Sequence, residues 1–138
     1  DNIVAIKEAT GNISQVAKVA ALCGDNLDIY SGNDDQIIPI MSLGGKGVIS
    51  VLSNCMPAET HEICQLCLDN KFAEAREKAL NLLDFSNSLF CDVNPIPVKQ
   101  ALNNMGFEVG ACRLPLVEMS DANKEKLLKS MKAVGLVK

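Results

Sequence analysis

Ile3-Val4-Ala5-Ile6-Lys7-Glu8-Ala9-Thr10-Gly11-Asn12 decides how the rest of the chain is read. Four apolar residues in succession have the look of a short β-strand buried on both faces. The strand runs straight into a lysine, the side chain least willing to follow it inside. Thr10-Gly11-Asn12 then breaks the pattern, and Asn12 with Gln15 three residues on is a helix-capping signal. Ile13, Val16, Ala17 and Ala20 recur at helical spacing, with Gly24 as the stop.

The same alternation continues downstream. Leu27-Asp28-Ile29-Tyr30-Ser31 predicts a second strand, Gly32-Asn33-Asp34 a turn, and Asp34 to Leu43 a second helix. Gly44-Gly45-Lys46-Gly47 closes that helix, and Val48-Ile49-Ser50-Val51 predicts a third strand. Strand, helix, strand, helix, strand is the rhythm of parallel βα units. Beyond Pro57 the pattern is helical throughout. One helix is expected from about Ala58 to Leu68. A longer one carries Phe72, Ala75, Ala79, Leu82, Leu83, Leu89 and Phe90 on its inward face. A third follows Pro95-Ile96-Pro97 to about Gly106, and a last one starts at Ser120 and buries Leu127, Leu128, Met131 and Val134.

Three parallel strands cannot close a barrel, and an open sheet of that size leaves two bare edges. An eight-stranded barrel needs about 250 residues. If these are barrel strands, five others are expected upstream. The chain also begins at Asp1 and enters a strand almost at once, as a piece of a longer protein would.

Composition narrows the function classes. At 138 residues with 48% hydrophobic content, the chain can bury a core and is not a disordered segment. Its net charge of −4 and scattered basic residues give no nucleic-acid surface. No apolar run is long enough to span a bilayer, and a cytosolic protein is expected. The six cysteines lie mostly within apolar helical patterns. Cys64 and Cys67 form a C-x-x-C, but it sits inside a predicted helix with no second pair or His at ligand spacing. Reduced, core-facing thiols are expected, and a zinc or redox site is the alternative. No metal or cofactor is called for.

In parallel α/β folds the working residues sit at the carboxyl ends of strands. Lys7, the Ser31-Gly32-Asn33-Asp34 turn and the Val48–Asn54 stretch meet that description. Only Lys7 offers a nucleophile for covalent chemistry. An ordinary lysine titrates at about 10.4 and is protonated at neutral pH, whereas desolvation frees the amine to attack a carbonyl. A strand-terminal lysine can equally keep its ammonium in water and bury only its stem. Local pattern leaves both readings open. Gly44-Gly45-Lys46-Gly47 lacks the spacing of a phosphate-binding loop and lies between a helix and the following strand, at the opposite end of the sheet. His61 has no evident catalytic partner. Asp34 and Asp35 suit a helix N-terminus.

The IKEATGN segment, the Ser31-Gly32 turn, the GGKGVISV run, Asn94-Pro95-Ile96-Pro97-Val98-Lys99 and Arg113-Leu114-Pro115-Leu116 together resemble the dihydrodipicolinate synthase family. The match runs in order along nearly the whole chain. N-acetylneuraminate lyase, in the wider class I pyruvate lyase superfamily, shares the strand-end lysine. The Glu8-Ala9-Thr10-Gly11 continuation and the NPIPVK segment are closer to the synthase branch. The resemblance implies an α/β fold: the last three βα units of a TIM (β/α)8 barrel over residues 1–70, then a C-terminal helical region over 71–138. It implies that Lys7 forms a Schiff base with pyruvate, and that the resulting enamine attacks aspartate semialdehyde. It implies that Gly32 lines the pyruvate pocket and that the Ile49 backbone carbonyl contacts the bound keto acid. It further implies a homotetramer with contacts near Ile13 and Leu43. The family's carboxylate-binding Thr-Thr loop, its tyrosine proton relay and its substrate arginine have no counterpart in this sequence. Tyr30 does not match a relay position. Gly32-Asn33-Asp34 also departs from the usual Gly-Asp-Asp. Turnover by these 138 residues alone is therefore not expected.

Overall fold

The computed structural model describes residues 2–138. Strand β1 is Ala5–Glu8, helix α1 Ile13–Cys23, strand β2 Asp28–Ser31, helix α2 Ile37–Ser42 and strand β3 Gly47–Val48. Four further helices follow: α3 Pro57–Leu68, α4 Phe72–Ser88, α5 Ile96–Asn104 and α6 Asp121–Ala133. The strands form one parallel sheet in the order β1-β2-β3. The parallel βα architecture expected from the sequence is what the chain adopts.

Local chemistry accounts for the boundaries. The Asn12 side chain accepts hydrogen bonds from the Ser14 and Gln15 amides at 3.1 and 3.3 Å, which fixes the start of α1. Gly24 ends it with φ +52°, a backbone that a residue with a Cβ adopts only under strain. α2 begins later than expected, because Asp34–Gln36 forms a 3-10 turn first. Pro39 sits in the first turn of α2, where a missing N–H removes no intrahelical bond. β3 is shorter than expected. Among the described residues it pairs with β2 alone, and the strand pairing ends at Ser31, where β2 ends. At the far end of the chain the Ser120 hydroxyl accepts from the Asn123 amide and starts α6.

The chain divides into two compact units. The first comprises residues up to Ser50 together with Ala58–Ala79. Its core joins Val16 of α1, Ile29 of β2 and Ile40 of α2, with Ile6, Val19 and Ala20 packed around them. The helices therefore cover one face of the sheet. β1 is not buried on both faces, contrary to what its apolar run predicts. Ala5 and Lys7, on the face that α1 and α2 leave open, are exposed, and Ile3 and Val4 just before the strand are 78% and 68% exposed.

The second unit comprises Val51–Pro57 and Leu80–Lys138. Phe85 and Leu89, Ala101 of α5, and Leu127 and Met131 of α6 are fully buried in it. A buried pair of hydroxyls, Ser88 and Ser130, meet at 2.7 Å; one donates to the other, which donates to a carbonyl of its own helix, Phe85 or Leu127 at 2.8 Å. Phe90 and Leu128, expected on inward faces, are 47% and 38% exposed. α4 ends at Ser88, so Phe90 no longer follows the helical stripe. Among the described residues no helix is long and apolar enough to cross a membrane.

Candidate active site

Alternation along β1 sends successive side chains to opposite faces. Ile6 packs with the helices. Glu8, two residues on, points the same way and is 4% exposed. Lys7 faces the other side with Ala5, and both are exposed. Lys7 pairs with Tyr30 and Tyr30 with Gly47, so these three share the face that α1 and α2 leave open.

The ladder continues one step past the strands. The Gly32 amide donates to the Glu8 carbonyl at 2.8 Å, and the Ile49 amide donates to the Ser31 carbonyl at 2.7 Å. Lys7, Gly32 and Ile49 thus all stand at the carboxyl ends of adjacent parallel strands. Lys7 and Gly32 are in direct apposition. A Cβ added to Gly32 would lie 2.8 Å from Lys7 Cε and 2.6 Å from Ala9 Cβ, well inside van der Waals contact. Glycine at 32 is a steric requirement of Ala9, which sits on backbone, while the flexible Lys7 stem could yield only by moving its amine. Ile49 is one strand further over. With strands about 4.8 Å apart and Ile49 two residues past the level of Lys7, its backbone lies roughly 12 Å from that of Lys7. Its side chain is 52% exposed.

Two residues of this cluster were not singled out by their sequence pattern. Ala9 forms the rigid wall beside Gly32. Glu8 is a buried carboxylate whose Oε1 accepts from the Thr10 amide at 3.0 Å. Strand alternation was the available signal for Glu8: two residues after Ile6, which packs half-buried against the helices, it had to face them too.

The other candidates lie elsewhere. Lys46, within the glycine run, donates its amide to the Ile29 carbonyl at the entry to β3. It stands one residue before Gly47, which is level with Tyr30 and Lys7, so the run is not at the opposite end of the sheet as its place between helix and strand had suggested. Gly45 packs against Ile40, where an added Cβ would meet the Ile40 carbonyl at 2.8 Å. His61 is exposed on α3. Asn33 makes no side-chain capping bond; its amide and carbonyl both engage the Ser31 hydroxyl instead. All six cysteines are free. Burial pushes the Cys55 and Cys64 thiols up to about 11, with nearby Cys67 and Asp34 adding to the rise at Cys64. Both are thiols rather than nucleophilic thiolates at neutral pH. Among the described residues, no three His, Cys, Asp or Glu side chains come together as a metal-binding group.

The second unit holds a cavity of about 480 Å³ between α5 and the 110–119 segment. Lys99 at its wall donates to the Ala111 carbonyl at 2.7 Å, which ties its ammonium to the loop.

The sequence model of the dihydrodipicolinate synthetase family matches residues 1–134. A 4-hydroxy-tetrahydrodipicolinate synthase of Clostridium perfringens is 56% identical over 138 residues, which are 100% of this chain and 47% of that protein. The crystal structure of dihydrodipicolinate synthase from Aquifex aeolicus superposes with a TM-score of 0.94 at 41% identity, covering 98% of this chain and 46% of that one. The chloride-inhibited dihydrodipicolinate synthase from Acinetobacter baumannii, complexed with pyruvate, gives a TM-score of 0.94 at 34% identity over 99% of this chain and 47% of that one. The chain therefore spans about half the length of the relatives it matches.

Proposed function

The chain belongs to the dihydrodipicolinate synthetase family, and on that premise we propose that it carries the Schiff-base lysine of a 4-hydroxy-tetrahydrodipicolinate synthase. The apposition of Lys7 Cε and Gly32 is the observation that supports this reading. An amine at the carboxyl end of a parallel strand, beside a residue without a side chain, has open space at its tip for a small ketone. The Acinetobacter relative was solved in complex with pyruvate, a ketone of that size.

The chemistry follows from the amine. Uncharged Lys7 Nζ attacks the ketone carbon of pyruvate, the C–N bond forms, and the ketone oxygen leaves as water. The protonated imine is an electron sink, so a methyl proton is lost and an enamine results. The enamine carbon then attacks the aldehyde of aspartate semialdehyde. Cyclisation onto the imine carbon expels Lys7 and gives the heterocycle of lysine and diaminopimelate biosynthesis. Gly32 keeps the mouth beside the amine clear, and the Ile49 carbonyl, at the exit of β3, contacts the keto acid.

Such an enzyme is cytoplasmic and works as a homotetramer. Exposed Ile13 on α1 and exposed Leu43 after α2 are the apolar positions that support the assembly. Sedimentation at low concentration is expected to give a dimer or larger species, and a clean monomer would count against it. A sugar-acid lyase of the same superfamily is the second catalytic reading, favoured by nothing beyond the shared lysine.

The isolated chain is expected to show no synthesis of product, because the carboxylate cradle and proton relay of the family match no residues here. A steady-state assay with pyruvate and aspartate semialdehyde tests this. Turnover comparable to that of full-length relatives would refute it.

A further inference from the structure

We propose that Glu8 is a positioning residue for the Lys7 amine: its buried carboxylate holds the Thr10 amide, and so fixes the wall against which Lys7 lies. The inference rests on the imine-forming role of Lys7 and adds to it the device that places the amine.

Burial makes Glu8 conspicuous. Its neighbours on the helix-facing side of β1 and β2 are Ile6, Ile29 and its register partner, the fully buried Ser31, and burial among them costs a carboxylate hydration that an apolar side chain does not lose. A glutamate here is explained by a bond that an apolar residue cannot make. That bond is the one from the Thr10 amide to Glu8 Oε1 at 3.0 Å. A charge-assisted bond to a backbone amide is among the stronger local tethers.

Thr10 immediately follows Ala9. The Ala9 Cβ and Cα lie 2.6 and 3.3 Å from the point a Gly32 Cβ would occupy, and Lys7 Cε lies 2.8 Å from that same point. Ala9 and the lysine stem therefore bound one small space from two sides. Holding the amide after Ala9 holds one of those sides.

The tether is the first of a series. Thr10 Oγ1 accepts from the Asn12 amide at 3.2 Å. Asn12 Oδ1 caps α1. Gln36 Nε2 donates to the Gly11 carbonyl at 3.0 Å, tying the loop to the turn after β2. The Gly32 amide itself donates to the Glu8 carbonyl. Glu8 thus grips both strand exits, with its backbone on Gly32 and its side chain on Thr10. Because alternate residues face opposite sides, the Glu8 carboxylate is buried on the helix-facing side while the amine it serves remains open on the other face.

The test compares Glu8→Gln with Glu8→Leu in the 138-residue chain. Glutamine keeps an oxygen acceptor for the Thr10 amide, and leucine removes it at similar volume. Two readouts are taken: the rate of borohydride-trapped pyruvate adduct at Lys7, and the nuclear Overhauser contact between the Lys7 ε-methylene and the Gly32 α-protons. E8Q is expected to retain the contact and an adduct rate within about threefold of the parent. E8L is expected to lose the contact and to fall about tenfold or more, since displacements near 1 Å at a reacting group have effects of that size. An E8L rate equal to the parent, or an E8Q loss as large as that of E8L, overturns the proposal. If the parent itself traps no pyruvate at Lys7, the imine reading fails, and the Overhauser contact still decides whether Glu8 places the side chain. If E8L does not fold, hydrogen exchange in the parent decides. A slowly exchanging Thr10 amide is expected, and one exchanging like an open loop overturns the proposal.

Discussion

Gly32→Ala tests the geometry of the site most sharply. The new Cβ would lie 2.6 Å from Ala9 Cβ, 2.8 Å from Lys7 Cε and 3.3 Å from Ala9 Cα. These contacts yield differently. Lys7 Cε is near the far end of a flexible, exposed side chain and can swing away at little energetic cost, but the swing takes the amine out of place. Ala9 sits on backbone tethered at Thr10 and cannot yield without moving the strand exit. Overpacking of this kind costs about 1–3 kcal/mol, or several degrees in Tm for a domain of this size at ~4 °C per kcal/mol. Ala9→Gly removes the shortest contact and leaves the one to Lys7. In a double-mutant cycle, Ala9→Gly and Gly32→Ala should therefore couple favourably in stability by about 1 kcal/mol. Pyruvate adduct formation at Lys7 should stay low in the double variant. Thermal unfolding and borohydride trapping read the two effects separately. A Gly32→Ala chain that melts with the parent and traps pyruvate at the parent's rate would contradict this geometry, as would recovery of trapping on adding Ala9→Gly.

Three further outcomes are expected. Asn12→Ala, which removes the side-chain oxygen that accepts from two amides, should lower stability by about 1 kcal/mol in denaturant unfolding. Ile40→Ala, at a fully buried position of the first unit's core, should cost about 2–5 kcal/mol by the same measurement. Cys55 has a thiol raised by burial from 9.0 to about 11. The folded state therefore holds a proton that the unfolded state releases first, so its contribution is complete below pH 9 and is lost as pH rises towards 11. Cys55→Ala should lose less stability than the parent across that window, and equal slopes would contradict the assignment.

The sequence made the helices and the strand order legible because those features are set locally. Asn12, Gly24 and Ser120 are capping residues whose effect needs no distant partner. The length of β3 was not legible, since it depends on where β2 stops rather than on the apolarity of Val48–Val51. Nor was the exposure of Ile3 and Val4. Apolar sequence records what a segment can bury against, not whether a partner covers it among the described residues. At the site, Lys7 and Gly32 stood out by their place after a strand. Glu8 and Ala9 did not, because their roles arise from contacts to Thr10 and Gly32 that no periodicity encodes. A glutamate after a lysine ordinarily reads as surface charge; only the alternation of β1 puts it inside.

The account turns on Lys7 as the amine that captures a keto acid. Incubation of the chain with pyruvate and borohydride, followed by peptide mapping, measures this directly. The reduced adduct is predicted on Lys7 in preference to every other lysine, and to vanish in Lys7→Ala. Adducts spread over the exposed lysines with none concentrated at position 7, or no adduct at all, would contradict it.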